Sequence, residues 1–509
     1  MDLINRLVSN RALGALVIVA FTLFAYSFML QAPFRSMDDT TSIVENKDLR
    51  DFKSIPKVWT SAFFGDQSYY RPLVTMSFML EYAIYGLNSF WFNLDNLILH
   101  ILNTLCVFVL FARLWSDKPL ALLTALLFAI HPVQWEAICN VAGRPILLSA
   151  LCVFCSFLLF MEFDTRRHLL WLMGSLAGFI IGIFCKESTV IFPVVLGMYL
   201  FYVSKSDRKP WMALLPFFMV IFGYFELRRQ LGITQVFAWG SLDASVLGFL
   251  SFVRGCITYL RLYVFPVDLY FDRSRAVFGS FVDPQLLGTI LFWIAAISAV
   301  WAFRAKINSK VLFCMLWFLL EFAPVCQIVT SLGVQPGYIS LAEHFLYVPT
   351  AAMAAILVWA ARGVQEINRQ RKWCSPAIAQ VAVAGIGVFL YLTTIQQAVY
   401  ASSELSMLKR SVTFQPNNSR VLYSIGMNYV NRGMFEVAHT YFQQAVRVDP
   451  WNVRAKIALG KVLCDQGQYE DCLDVYGAIR NPGPFAAILE ENVRLTHKII
   501  EQKRGAVKQ

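Results

Sequence analysis

Acids and cations crowd the short polar stretches between the long apolar runs of this chain. Asp38 and Asp39 stand side by side directly after the first run, and Tyr70-Arg71-Pro72-Leu73 follows. Glu136 and Arg144 share the polar stretch 131–144, and Lys186 lies in the turn Cys185-Lys186-Glu187-Ser188. Arg254 and Arg261 interrupt an apolar segment, and Glu343 and His344 stand before another. A positioned carboxylate can take the proton of a hydroxyl. Arg grips phosphate with a planar fork, Lys as a point charge. Together these groups suit transfer from a phosphate-linked donor: one carboxylate deprotonates the acceptor while cations stabilise the leaving phosphate.

Each residue also has a plainer reading. The acidic pair reads equally as solvated residues after a helix end, and Lys186 as an interfacial side chain with its ammonium reaching water. Glu136 and Arg144 read as a structural ion pair, and His131, before Pro132, as a cap or core histidine. Trp91, Phe92 and Trp135 read as interface aromatics. Arg261 is harder to explain this way, because a lipid-facing Arg is costly.

The elements that must position these groups follow from composition. Of 509 residues, 57% are hydrophobic and 15% charged, which excludes an ordinary soluble protein. Apolar runs of bilayer-spanning length recur to about residue 396. They lie at about 13–30, 93–112, 119–133 and 145–162, on both sides of 185–188, at 211–226 and 285–303, up to about 326, and at 343–361 and 375–396. The net charge of +11 sits in loops between spans, where orientation and anionic lipid explain it better than nucleic acid does. Arg6 and Arg11 predict a cytoplasmic N-terminus and an uncleaved first helix, so Asp38 and Asp39 fall on the outer side. Residues 246–266 would reverse the downstream loops if they crossed, and are expected to be re-entrant or interfacial. The fold class expected is all-α, a polytopic membrane protein of about eleven spans with a small C-terminal helical domain. Its membrane domain covers 1–400, with a first outer loop at about 32–92.

The tail repeats itself. Ile425, Gly426, Tyr429, Gly433, Ala438, Phe442, Ala445 and Pro450 are matched by Leu459, Gly460, Leu463, Gly467, Cys472, Tyr476, Ile479 and Pro484, each 34 residues later. That is the tetratricopeptide pattern: two repeats, 419–452 and 453–486, with a capping helix, over 413–503. None of the eleven Cys has metal-type spacing; Cys152 and Cys155 read as small core residues. Cys464 and Cys472 could pair in an oxidising compartment.

Taken in order, several motifs resemble one family. Asp38-Asp39 with Ile43 and Asn46, Tyr70-Arg71-Pro72-Leu73, Asn96 with His100, and His131-Pro132-Val133-Gln134 with Glu136 come first. Gly143-Arg144, Lys186-Glu187-Ser188, Tyr259-Leu260-Arg261 with Pro266, and Ala342-Glu343-His344-Phe345-Leu346-Tyr347-Val348-Pro349 complete the set. The chain thereby resembles the transmembrane and tetratricopeptide-repeat O-mannosyltransferases and their bacterial relatives, of the GT-C class. The resemblance implies a polyprenyl-phosphate or pyrophosphate sugar donor and a catalytic base in the first outer loop, Asp38 or Asp39. It implies Arg144, Lys186, Arg261 and His344 at the donor phosphate, with Arg71, Glu136 and Glu343 in support. His344 stands where the pattern usually has Arg, and Ile146 where it often has Asp. No metal ligand set is implied, although a divalent ion is compatible. The acceptor expected is a protein hydroxyl, with the repeats available to engage that protein. The location expected is a bacterial inner membrane or the endoplasmic reticulum, repeats outside the cytosol. A non-catalytic repeat scaffold and a lipid-linked-sugar transporter are the rival readings.

Overall fold

In the computed structural model the first apolar run becomes helix α1, Arg11–Tyr26, extended to Gln31 by a 3₁₀ turn. The structure describes residues 11–63, 69–233, 241–327 and 337–506; Arg6, part of the orientation argument, lies outside them. Gly14, Ile18, Thr22, Ala25 and Met29 form one buried stripe at helical spacing, while Leu16, Phe21, Phe24 and Phe28 face outward. An apolar face turned outward on every such helix is the signature of lipid contact.

Among the described residues, twelve more helices of eleven residues or longer belong to the first of two compact units: α2 Pro72–Tyr85, α3 Ser89–Trp115, α4 Lys118–Ile130, α5 Arg144–Arg166, α6 Leu169–Cys185 and α7 Phe192–Tyr202. Then come α8 Leu215–Gln230, α9 Leu242–Val264, α10 Pro284–Phe303, α11 Ser309–Leu320, α12 Pro349–Arg371 and α13 Pro376–Ala401. Their starts are written in the sequence. Proline occupies the first turn of eight of them, where its missing N–H is not needed; Asp117, Asp283 and Ser375 cap three of those eight through their side chains, and Asn88, Ser241 and Asn308 cap three others. Helices α5 and α6 approach closely because Gly174, Gly178 and Gly182 recur every fourth residue on α6. A Cβ at Gly182 would lie 3.2 Å from Cys152 and Thr189.

Among the described residues, seven helices are long and apolar enough to cross a membrane, or eight if the bent pair at Pro132 counts as one span. The sequence reading gave about eleven. The difference lies in α6, with 17 residues, α7, α11, with 12, and α12, none of which is counted, against the gain of α9, which is. Residues 246–266 fall largely within α9, one unbroken helix of 23 residues that meets the spanning criterion. The first outer loop is no open loop. Helix α2 packs with Ile43, Leu49, Val58 and Phe92 in a core of its own.

The second unit, by itself, contains α14 Glu404–Phe414, α15 Ser419–Val430, α16 Phe435–Val448, α17 Val453–Asp465, α18 Tyr469–Gly477 and α19 Ala486–Ala506. Helices α15 and α17, and likewise α16 and α18, start 34 residues apart (453 − 419; 469 − 435). Gly426 and Gly460 are required at equivalent places: a Cβ would come within 2.4 Å of Phe442 and 2.3 Å of Tyr476. Cys464 and Cys472 form a disulfide. The unit begins earlier than residue 413 and includes Tyr270–Ala276 with strand β1, Ser274–Ala276, and strand β2, Tyr338–Ser340. The strands pair antiparallel, Arg275 opposite Ile339. Asn418 donates to the Asp272 carboxylate at 3.2 Å, and Tyr270 stacks on Phe414.

Candidate active site

The polar stretch 131–144 organises the first unit. Pro132 has no N–H and forces His131 into extended backbone, so the chain leaves α4 and bends by 51°. Short turns at Pro132–Gln134, Trp135–Ile138 and Val141–Gly143 then lead into α5. Every residue from Pro132 to Cys139 is buried. Such backbone inside a membrane protein must have its polar groups satisfied by protein. Helix α3 supplies part of that. Asn93, Asn96, His100 and Asn103 lie on one face at spacings of three and four, all buried. Asn96 donates to the Asn140 carbonyl at 2.8 Å, Asn93 to Ala32 at 2.9 Å and Asn103 to Leu147 at 3.0 Å, while His100 Nδ1 meets the Tyr347 hydroxyl at 2.8 Å.

This stretch holds the acidic pair. Asp39 is 1% exposed; its carboxylate accepts the Arg35 N–H and the Ala142 N–H, both at 2.9 Å. Burial pushes its pKa up to about 6, against the pull of the neighbouring Arg35 charge. Asp38 is half-buried, and its carboxylate makes no hydrogen bond among the described residues. The adjacent acids are therefore not equivalent: Asp39 ties the loop to the polar stretch, and Asp38 takes no part in those bonds.

The same stretch grips the turn Glu343–Leu346. Glu136, 2% exposed, accepts the backbone N–H of Glu343 at 2.6 Å and of His344 at 3.1 Å, and faces His344 Nδ1 at 3.0 Å. Trp135 donates its indole N–H to Glu343 at 2.6 Å. Helix α9 closes the other side, with the Tyr259 hydroxyl on the Ala342 carbonyl and that of Tyr263 on Leu346. His131 Nδ1 caps the Val133 N–H and Nε2 meets the Tyr263 carbonyl, as a cap histidine would.

Several expectations change here. Arg144 pairs with Glu81 rather than Glu136. Its Nε also donates to Asn96 at 2.5 Å and its Nη2 to the Phe92 carbonyl at 2.9 Å, with 1% exposure. With all three nitrogens engaged and water excluded, it offers nothing to a phosphate in this structure. Trp135 and Phe92 are core residues, 1% and 0% exposed, not interface aromatics; Trp91 alone is partly exposed, stacked on Tyr85. Arg261 is 42% exposed and paired with Asp268 at 2.7 Å.

Lys186 is half-buried, and its ammonium makes no hydrogen bond among the described residues. Burial and then Arg71 push its pKa down to about 8, opposed by Glu187 and Glu321. Arg71 is spent on Glu187 through two bonds, 3.0 and 2.6 Å, and stacks over Tyr69. A polar cavity of about 410 Å³ adjoins Arg71, lined also by Thr41, Glu45, Asn46, Lys57 and Thr75. Thr41 lies in the π-helical turn Thr40–Val44, which Asp39 precedes and Glu45 caps at its end. Among the described residues no group of three His, Cys, Asp or Glu side chains is arranged to hold a metal ion.

Sequence reasoning missed Arg35 and Glu81. Arg35 is 4% exposed and donates to the Cys139 and Ala401 carbonyls, tying the first loop to the polar stretch and to the end of α13. Glu81 is the sole acid of α2, a signal available in the sequence.

No family model matches the chain. It is 24% identical to the protein O-mannosyl-transferase Tmtc3 of Drosophila melanogaster over 528 residues, 86% of this chain and 55% of that one. It is 25% identical to human TMTC1, over 89% of this chain and 57% of the relative, and 23% identical to F38B6.6 of Caenorhabditis elegans, over 86% and 62%. The chain thus spans about half to three-fifths of these curated relatives. The resemblance read from the ordered motifs is borne out by them. Solved structures with some likeness are an Archaeoglobus fulgidus oligosaccharyltransferase, with TM-score 0.42, 12% identity and 79% of this chain against 58% of that chain, and ArnT from Cupriavidus metallidurans bound to undecaprenyl phosphate, with TM-score 0.40, 13% identity and 91% against 79%.

Proposed function

We propose that the chain is a membrane glycosyltransferase that moves a sugar from a polyprenyl-phosphate-type donor to a hydroxyl on a protein. The observation that carries this is the division of labour at the acidic pair: an Asp38 carboxylate with no hydrogen-bond partner among the described residues, held in place by a buried Asp39 that is bonded to the polar stretch. The names of the relatives support O-linked transfer and make mannose the first sugar to test.

In this reading Asp38 takes the proton of the acceptor hydroxyl as its oxygen attacks the anomeric carbon, in one displacement with inversion. The acceptor segment occupies the polar cavity beside Thr41 and Arg71. Lys186, whose ammonium makes no hydrogen bond among the described residues, neutralises the donor phosphate as the sugar–oxygen bond breaks. Arg71, Arg35 and Arg144 position the loops around these groups, and Arg261 reaches a phosphate only by giving up Asp268. The active face and the tetratricopeptide repeats lie outside the cytosol. The Cys464–Cys472 disulfide supports this, since such bonds persist in oxidising compartments. So does the clustering of Arg166, Arg167, Lys205, Arg208 and Lys209 in loops between spans.

Asp38→Asn tests the reading. Asn keeps the size but cannot accept the proton, so glycosylation falls by about 10²–10⁴-fold at unchanged protein level. The measurement is mass spectrometry of membrane and secreted glycoproteins from cells carrying either form in a deletion background. Wild-type glycosylation by Asp38→Asn removes the proposed base and restores the scaffold reading.

A further inference from the structure

Tyr26, Arg35, Gln134 and Gln397 are at most 4% exposed, yet five of their polar atoms have no hydrogen-bond partner among the described residues. These are Tyr26 Oη, Arg35 Nη1, Gln134 Oε1 and both amide atoms of Gln397. The bonds around them bring the four side chains to one place. Arg35 Nη2 donates to the Cys139 and Ala401 carbonyls, so the guanidinium lies between the polar stretch and the end of α13. Gln397 stands one helical turn before Ala401 on the same buried face of α13. Three residues earlier, Thr394 donates to the Ile130 carbonyl, where the polar stretch begins. Gln134 uses its Nε2 on the Phe128 carbonyl at 3.3 Å and the Tyr347 carbonyl at 3.5 Å, and its turn packs on α13. Tyr26, at the end of α1, packs edge-on against His100, and both it and Arg35 lie within electrostatic range of the Cys139 thiol.

Polar atoms buried this deeply are costly to leave unmet, and folded proteins satisfy them with protein groups or ordered water. The kind of atom says which ligand fits. Arg35 Nη1 and Gln397 Nε2 only donate, Gln134 Oε1 and Gln397 Oε1 only accept, and the Tyr26 hydroxyl does either. An anion would be repelled by the two amide oxygens, and a cation by the guanidinium. Water both gives and takes hydrogen bonds, and serves all five. We propose that Tyr26, Arg35, Gln134 and Gln397 enclose a bound-water site of about two molecules, because one buried water makes about three bonds. The water links α1 and α13 to Arg35, whose backbone N–H holds the Asp39 carboxylate at 2.9 Å. It therefore supports the acidic loop from behind. This inference uses burial and bonding only and stands apart from the transferase reading.

The test has two arms, both on the full chain in lipid nanodiscs. In the first, a brief X-ray pulse generates hydroxyl radicals, and mass spectrometry maps the labelled side chains. Radicals formed from bound water label their neighbours even where bulk solvent is excluded. Tyr26 and Cys139 are labelled more strongly than Tyr259 and Cys314, which are equally buried, and the label on Cys139 falls in Gln397→Met. The second arm is thermal unfolding of Tyr26→Phe and Gln397→Met, each of which removes unmet atoms with little change of shape. If water fills the site, each variant strips a partner from it and lowers the unfolding temperature. If the atoms are dry and unmet, removing them raises it. Labelling of Tyr26 and Cys139 no stronger than that of Tyr259 and Cys314, or unfolding temperatures of both variants at or above wild type, overturns the proposal.

Discussion

Gly143→Ala is the sharpest test of the architecture that holds the acidic pair. Gly143 has φ −72°, so any residue could adopt its backbone; the obstacle is space. A Cβ there would sit 2.1 Å from the Ala137 carbonyl oxygen and 2.9 Å from its carbon, both backbone atoms within the buried stretch. The methyl carbon is roughly 1 Å inside any tolerable contact, so one of the two turns must move by about that much. Overpacking of this kind costs about 1–3 kcal/mol. The displaced segment carries the Ala142 N–H bond to Asp39 and the Gly143 N–H bond to Asn140, both 2.9 Å, each worth about 1 kcal/mol. The total is a loss of about 3–5 kcal/mol, with roughly 10²-fold lower transfer in the protein that remains folded, because Asp38 follows Asp39 out of register. Gly288→Ala is the control: it lies in α10 with nothing within 4 Å of its Cβ, and should be neutral or stabilising by up to about 1 kcal/mol. Thermal unfolding in detergent and glycosylation in cells report the two effects. If Gly143→Ala matches Gly288→Ala in both, the close approach of residues 137 and 143 is wrong, and with it the account of how Asp39 is held.

Two further outcomes follow from the same geometry. Arg144→Lys replaces a guanidinium bonded through three nitrogens by one ammonium, leaving Asn96 or the Phe92 carbonyl unsatisfied beside Glu81. The expected cost is about 2–4 kcal/mol in unfolding, with undecaprenyl phosphate affinity unchanged in the folded fraction; weaker binding at full stability would return Arg144 to the phosphate. Reducing the Cys464–Cys472 bond, or Cys464→Ser, should lower the unfolding temperature of the repeat unit by an amount equivalent to about 2 kcal/mol, given the short loop it closes, and an unchanged melt under reducing conditions would show the bond is absent.

Much of the helical architecture is legible in the order of residues alone, because membrane helices are specified locally. Twenty apolar residues must become a helix where no water satisfies the backbone, and prolines, Asn and Asp mark where each begins. The 34-residue spacing of Gly426 and Gly460 likewise foretold where small residues meet Phe442 and Tyr476. Which side chain pairs with which emerges only once the chain is folded. Arg144 lies eight residues from Glu136 yet bonds to Glu81, 63 positions away, and Glu136 instead meets His344 across 208. Pairing depends on which helix faces are brought together, and a one-dimensional pattern holds no record of that. The same holds for Asp38 and Asp39, identical in type and adjacent in sequence. The Arg35 and Ala142 amides bury one and leave the other free, because side chains one position apart on a turn point in different directions.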